Sequence, residues 1–194
     1  MRWLWVAVAI ALAGAYQAWS TRPLHHTPGE VVHVEPVQKS IGSNAPHFRK
    51  EGADIVARAR FEIEAVVLAR EHYRFDRMAK LVPVDLALGW GPMSDSAVLS
   101  KLSITQGNRF YFWTTPEFPI PRRDIEIHSA NMHLIPATDA IERRIEAARV
   151  GQVVKLSGYL VDVKGDDGWS ISTSMTREDT GAGACEVIWV EEFE

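Results

Sequence analysis

The sequence predicts an α+β chain that is mainly β: a small closed or partly closed β-barrel, OB-like, with one or two short helices and an N-terminal hydrophobic helix before it. Three observations predict it. Apolar and charged residues alternate with period two over residues 57–69, from Ala57 to Ala69. A single well-capped helical stripe interrupts a series of short apolar runs. A long strand with a glycine at its middle, a hairpin and a closing strand follow that helix.

Residues 1–19 form the first unit, a membrane anchor or signal segment. Arg2 precedes an uncharged run from Trp3 to Trp19, with Leu4, Val6, Val8, Ile10 and Leu12 inside it. That length is at the short limit for a spanning helix. Trp3, Trp5, Tyr16 and Trp19 lie near its ends, where amphipathic rings favour the water–lipid boundary. Retention as an anchor places the protein in the inner membrane with its domain in the periplasm. Ala13-Gly14-Ala15 also offers small residues for cleavage after Ala15, and the domain is then periplasmic or secreted.

Residues 20–50 read as an extended, proline-containing linker. Pro23, Pro28, Pro36 and Pro46 interrupt it, and proline fixes φ and removes a backbone donor. One piece, Val31 to Val37, fits an edge strand. His25, His26, His33 and His47 lie here without a repeated ligand spacing, so they read as solvated side chains.

Residues 51–194 are the β-rich domain. The strand over 57–69 is followed by a helical turn near Asp76 to Lys80. Gly89 and Gly91 flank Trp90. Ser94 reads as the N-cap of a short helix through Leu102. Strands over Leu102–Gln106 and Arg109–Thr114 surround Gly107-Asn108. A proline-rich loop leads to an extended piece from Asp124 to Pro136. Thr138 or Asp139 caps a helix over about 139–149, with Ile141, Ile145 and Ala148 on one face and Gly151 just past its end. Gln152–Val163 is a long strand with Gly158 as a bend or bulge. Trp169–Met175 is its hairpin partner, and Cys185–Val190 closes the fold.

The composition restricts the partners. Net charge is −4, from 21 basic and 25 acidic residues. No run of Lys or Arg exceeds two residues, so the chain lacks the cationic face that duplex binding needs. Nucleic acid is not an expected partner. The single cysteine, Cys185, excludes an internal disulfide. There is no Gly-x-Ser-x-Gly elbow, no phosphate loop and no dinucleotide fingerprint.

Four groups of residues carry what chemistry the sequence offers. His128, Asn131 and His133 stand within six positions, and with Cys185 they make weak catalytic candidates: thiol as nucleophile, imidazole as base, amide as orienting group. His128 and His133 are also the candidate zinc ligands, although their spacing matches no zinc motif. No cofactor is otherwise predicted. The glycine-rich stretch Thr176–Glu186 places Arg177 and Asp179 beside a loop able to approach a ligand closely. Trp90 and Trp113 are the aromatic binding candidates, against the ordinary reading of aromatics as core.

The expected function is a membrane-tethered, exported binding or scaffold module for an envelope protein or ligand. The membrane itself is met through residues 3–19. The alternative is an exported hydrolase or metalloenzyme built on the His128–His133 segment and Cys185. With no catalytic signature, the non-enzymatic reading is preferred and the enzymatic one stays open.

Overall fold

Alternation decides the longest element. From Ala53 to Ala65, every second residue of the strand β3 (Ala53–His72) is buried, while Asp54, Arg58 and Glu62 face water. This is the period-two pattern of residues 57–69, extended at both ends. The computed structural model describes residues 22–42, 44–181 and 183–194, with scattered positions between Trp3 and Gly14. The expected anchor or signal segment over residues 3–19 therefore lies largely outside the described residues. Among the described residues, no helix is long and apolar enough to cross a membrane.

The described chain is mainly β. Two short strands, β1 (Val37–Ser40) and β2 (His47–Lys50), pair antiparallel with β3. Then come β4 (Val84–Gly89), a 3-10 turn (Gly91–Ser94), α1 (Ser96–Leu99), β5 (Ser103–Gly107) and β6 (Phe110–Thr114). They are followed by α2 (Arg122–Ile127), β7 (Ser129–Pro136), α3 (Asp139–Ala147), β8 (Val153–Gly165), β9 (Ser170–Ile171) and β10 (Glu186–Phe193). β5 and β6 form a separate two-stranded ribbon.

Five strands pair into a ring-like sheet. β3 pairs with β4, β4 with β7, β7 with β10, β10 with β8, and β8 returns to β3. Only β7 and β10 run parallel; the other contacts are antiparallel. Phe61, Leu86, Met132, Leu134, Leu160 and Ile188 belong to the main core cluster. Each fully buried side chain of this kind contributes roughly 1.5–3 kcal/mol. Ile141 and Ile145 of α3 join the same cluster, so the helix packs its apolar stripe against the ring.

A bulge divides the core in two. Between Ala57 and Ala59, β3 has one more residue than β8. On β8 the buried face then switches parity: Val154, Leu156 and Leu160 belong to the main cluster, Val161 and Val163 to a second one. A one-residue offset moves a strand's side chains to the opposite face, so this bulge lets β8 serve both clusters. Gly158 sits on the same strand, where a Cβ would lie 1.9 Å from the Trp189 carbonyl oxygen.

Several boundaries differ from expectation for identifiable reasons. The early strand lies at Val37–Ser40, after Pro36, rather than across Val31–Val37. Val32 is instead buried, and its carbonyl accepts a hydrogen bond from Gly91. Asp95, not Ser94, caps α1 by accepting from the Ala97 N–H. The Ser94 hydroxyl meets the backbone of Val32 and Gly91. The extended piece from Asp124 starts later, because Arg122–Ile127 is a helix. β9 is only Ser170–Ile171, since beyond it the Thr173 N–H donates to the Asp162 carboxylate, the Thr173 hydroxyl accepts from Val187 N–H and donates to Ser174 O, and the Ser174 hydroxyl donates to Asp179.

The linker residues described from Arg22 onward are extended and lie along the domain. Leu24 N–H donates to Val150 O at 2.8 Å, and His26 Nε2 lies 2.7 Å from Gly151 O. Gly151 has a φ of 82°, and a Cβ there would sit 2.0 Å from the Leu24 carbonyl oxygen. That glycine lets the strap cross; α3 itself ends earlier than expected, at Ala147 with Ala148 as its C-cap, so Gly151 is not its stop.

Candidate functional site

β7 is buried along its whole length, on both faces. Ala130, Met132 and Leu134 face the main core, so the alternate positions Ser129, Asn131 and His133 take the other face. Polar groups there need partners, and the β5–β6 ribbon supplies them. Its turn residues Asn108 and Arg109 have φ values of 52° and 69°, the paired left-handed geometry of a tight hairpin.

Arg109 ties this ribbon to the sheet. Its Nη1 donates to Asp85 Oδ1 at 3.0 Å and to Val82 O at 2.9 Å, and its Nη2 meets Asp76. The guanidinium stacks 3.6 Å from the centre of the Tyr73 ring, whose hydroxyl accepts from the Arg109 N–H. Asn131 Nδ2 donates to Arg109 O at 3.0 Å, and Gln106 Nε2 donates to Asn131 Oδ1.

Asp85 is fully buried and faces a second cation. His133 Nδ1 lies 3.0 Å from Asp85 Oδ1, an ion-pair distance without hydrogen-bond alignment. Burial by itself lowers the His133 pKa; Asp85 and the neighbouring Cys185 more than offset this and raise it to about 9. The imidazole is therefore cationic at neutral pH. Cys185, partly exposed, has its sulfur 3.8 Å from Asn131 Nδ2 and 3.9 Å from Arg109 O.

Beside this network opens a cleft of about 620 Å³. The ribbon forms one wall with Phe110, Tyr111, Phe112 and Trp113; the loop before β10 forms another. Tyr111 is fixed by its hydroxyl, 2.8 Å from Ser129 Oγ. Arg122 and Glu126 of α2 pair at 2.7 Å on the cleft's edge. At its base Arg177 Nε lies 2.7 Å from Glu186 Oε1, again without hydrogen-bond alignment. Glu186 is almost completely buried, and that burial raises its pKa to about 7 against the opposing pull of Arg177. Burial likewise lowers the Arg177 pKa, while Glu186 and Asp179 act to raise it.

The structure thus gathers Asn131, His133 and Cys185 into one network, and Trp113, Arg177 and Asp179 onto the adjoining cleft. It separates His128 and Trp90 from both. His128 caps α2, with Nδ1 2.8 Å from Asp124 O and Nε2 3.3 Å from Glu35. Trp90 is fully buried and donates its indole N–H to Glu35 at 2.7 Å. Both hold the strap onto the domain. Among the described residues, no group of three or more His, Cys, Asp and Glu is placed to hold a metal ion.

Sequence reasoning missed Asp85, Arg109, Gln106 and Glu186. Two signals were available: Asp85 interrupts the apolar run Val84–Leu88, and Glu186 opens the apolar run Val187–Val190. A charge inside a strand that otherwise reads as buried needs a partner. No family model, curated protein or solved structure matches the chain.

Proposed function

We propose that this chain is an exported, membrane-tethered binding module built on an OB-like barrel. In chain order the five ring strands pair 1-2-3-5-4-1, with the capped helix between the third and fourth. That order supports the OB-like reading. OB-folds take ligands near their second and third strands and the loop between the fourth and fifth. Here the third strand is β7, and the loop from β8 to β10 carries Arg177, Asp179 and Cys185. The uncharged run over residues 3–19 supports the tether, and the module then meets an envelope protein or ligand.

The cleft carries this reading. Its volume of about 620 Å³ lies within the usual range for ligand sites, about 300–1,000 Å³, and it combines aromatic walls with a few convergent polar groups. Fragment screening by NMR tests it. Bound fragments should shift the Trp113 indole and the Asn131 and Gln106 side-chain amides. Shifts confined to other surfaces would overturn the assignment. For the tether, an intact N-terminus in the inner-membrane fraction is expected; a soluble chain beginning near Tyr16 would show cleavage instead.

One observation favours a second reading, a thiol-dependent exported hydrolase. Cys185 opens onto the cleft with the His133–Asp85 pair behind it. A cationic imidazole favours the thiolate. Alkylation by iodoacetamide at neutral pH should then be fast, and slower in His133→Gln. Equal rates in the two proteins would end this reading.

A further inference from the structure

The strap limits how far a tether can reach. Leu24 N–H donates to Val150 O at 2.8 Å, and His26 Nε2 lies 2.7 Å from Gly151 O, so the chain is already fixed to the domain at Leu24. The uncharged run ends at Trp19, five residues earlier. Five residues span at most about 18 Å when fully extended. The headgroup layer on one side of a bilayer takes roughly 5–8 Å of that. About 10–13 Å remains, close to the width of one helix. A run that spans the membrane therefore holds the Leu24 end of the domain against the lipid headgroups, not at the end of a long linker.

That end is apolar. Leu24 is 36% exposed and shares a groove with Leu99, Leu102 and Ile104. Past Ser100 and Leu102 the surface continues to the loop that follows β6, where Phe118 is 50% exposed. Leucine and phenylalanine are side chains that seat at the boundary between headgroups and acyl chains. Lys101 and Glu117, both exposed on this edge, offset each other in charge, which favours an apolar contact over an electrostatic one.

The ribbon of β5 and β6 leads from this edge to another part of the domain. Its base, Ser103 and Thr114, adjoins Leu102, and Arg109 at its tip holds Asp76, roughly 15 Å away along the strands. In the loop of Asp76, Arg77 faces Asp167, next to the turn in which Asp166 N–H donates to Gly52 O. Phe75 of that loop is 98% exposed. It is more exposed than Phe118 and stands away from the Leu24 edge.

We propose that the domain docks directly on the bilayer, with Leu24, Leu102 and Phe118 at headgroup level. This inference rests on residues 3–19 remaining as the tether. It also sets the aromatic cleft beside the lipid, because Thr114, Thr115 and Phe118 line the cleft as well.

Photo-cross-linking of the full-length chain in phosphatidylethanolamine–phosphatidylglycerol vesicles tests it, read by mass spectrometry. Phe118→p-benzoylphenylalanine should form lipid adducts under ultraviolet light, and Phe75→p-benzoylphenylalanine should form none above the unirradiated background. Both positions are exposed, so the larger ring leaves the fold intact, and circular dichroism checks this. Absence of lipid adducts at position 118, in chain that stays with the vesicles after an alkaline carbonate wash, overturns the docking and leaves the tether standing. Equal adducts at both positions show a domain without a fixed orientation and overturn it too. A chain-to-chain adduct at position 118 in place of a lipid adduct makes a second copy the occupant of this edge, against the proposal. Chain released by the wash overturns the tether reading, and the docking with it.

Discussion

Asp85→Asn removes the one carboxylate that both Arg109 and His133 face at 3.0 Å. Asp85 is fully buried and His133 is 3% exposed, so solvent screens neither. Removing one partner of a buried ion pair typically costs about 3–5 kcal/mol, because the remaining charge stays buried. The His133 pKa gives a second measure. It stands at about 9 against 6.5, which corresponds to roughly 3 kcal/mol of preference for the charged form. A raised folded-state value means that this stabilisation is complete below pH 6.5 and is lost as pH rises through about 9. Glu186 acts in the same direction but lower, between 4.5 and about 7. Tyr73 and Tyr111, whose pKa values burial raises, begin to lose stability only near pH 10, so urea denaturation at about pH 7.5 and about pH 9 isolates His133. The wild type should lose stability across that interval, and Asp85→Asn should be weaker at about 7.5 and nearly flat. An NMR titration of the His133 ring in the variant should give a value well below 9, because burial lowers it and only Cys185 is left to raise it. An imidazole that still titrates near 9 without Asp85 would refute the ion-pair account.

Two further predictions concern packing. Gly158→Val forces a side chain into the Trp189 carbonyl, 1.9 Å from the Cβ position, and should cost about 1–3 kcal/mol or prevent folding; an unchanged urea midpoint would show that the strands separate easily there. A chain beginning at Arg22 should be as stable as the full chain. One beginning at Val37 should lose roughly 1.5–3 kcal/mol from uncovering the Val32 site alone, read as a drop in urea midpoint; equal stability of the two would make the strap a passive linker.

What the sequence reveals depends on whether each side chain's partner is near in the chain. β3 was legible because one face is wet, so its charges alternate with its core residues. α3 was legible from Thr138, Glu142 and the Ile141–Ile145 stripe, all local signals. β4 was not, since it is buried on both faces and carries Asp85, a charge that ordinarily argues against burial. Its justification, Arg109, lies on another sheet. α2 has one buried residue, Ile125, too few to establish a helical period. Among site residues, Asn131 and His133 were found because they lie with His128 within six positions. Cys185 was found because it is unique. Trp90 proved to be core rather than cleft, fully buried, and its neighbour Gly91 admits the strap by donating its N–H to Val32 O. The aromatic cleft wall was visible as Phe110–Trp113, but not which strand would lie across from it.

Arg109 shows how a local rule yields to a distant partner. Its φ of 69° is left-handed, a conformation that costs a non-glycine residue about 1–2 kcal/mol. On the turn alone, glycine would be the better residue, and Asn108→Gly at φ 52° should be neutral or slightly stabilising. Arg109→Gly relieves the same strain but leaves Asp85 facing His133 alone, removes all three Asp76 hydrogen bonds and strips the Tyr73 ring of its cation. Loss of a buried partner, about 3–5 kcal/mol, exceeds the strain recovered. The net expectation is a destabilisation of about 1–4 kcal/mol. Arg109→Lys should recover only part of it, because an ammonium cannot reach Val82 O, Asp85 and Asp76 with one planar fork. Urea denaturation at pH 7 ranks the three variants. If Arg109→Gly matches the wild type, the turn rather than the side chain holds the ribbon over β7, and the polar network beneath it is a consequence of the roof rather than its cause.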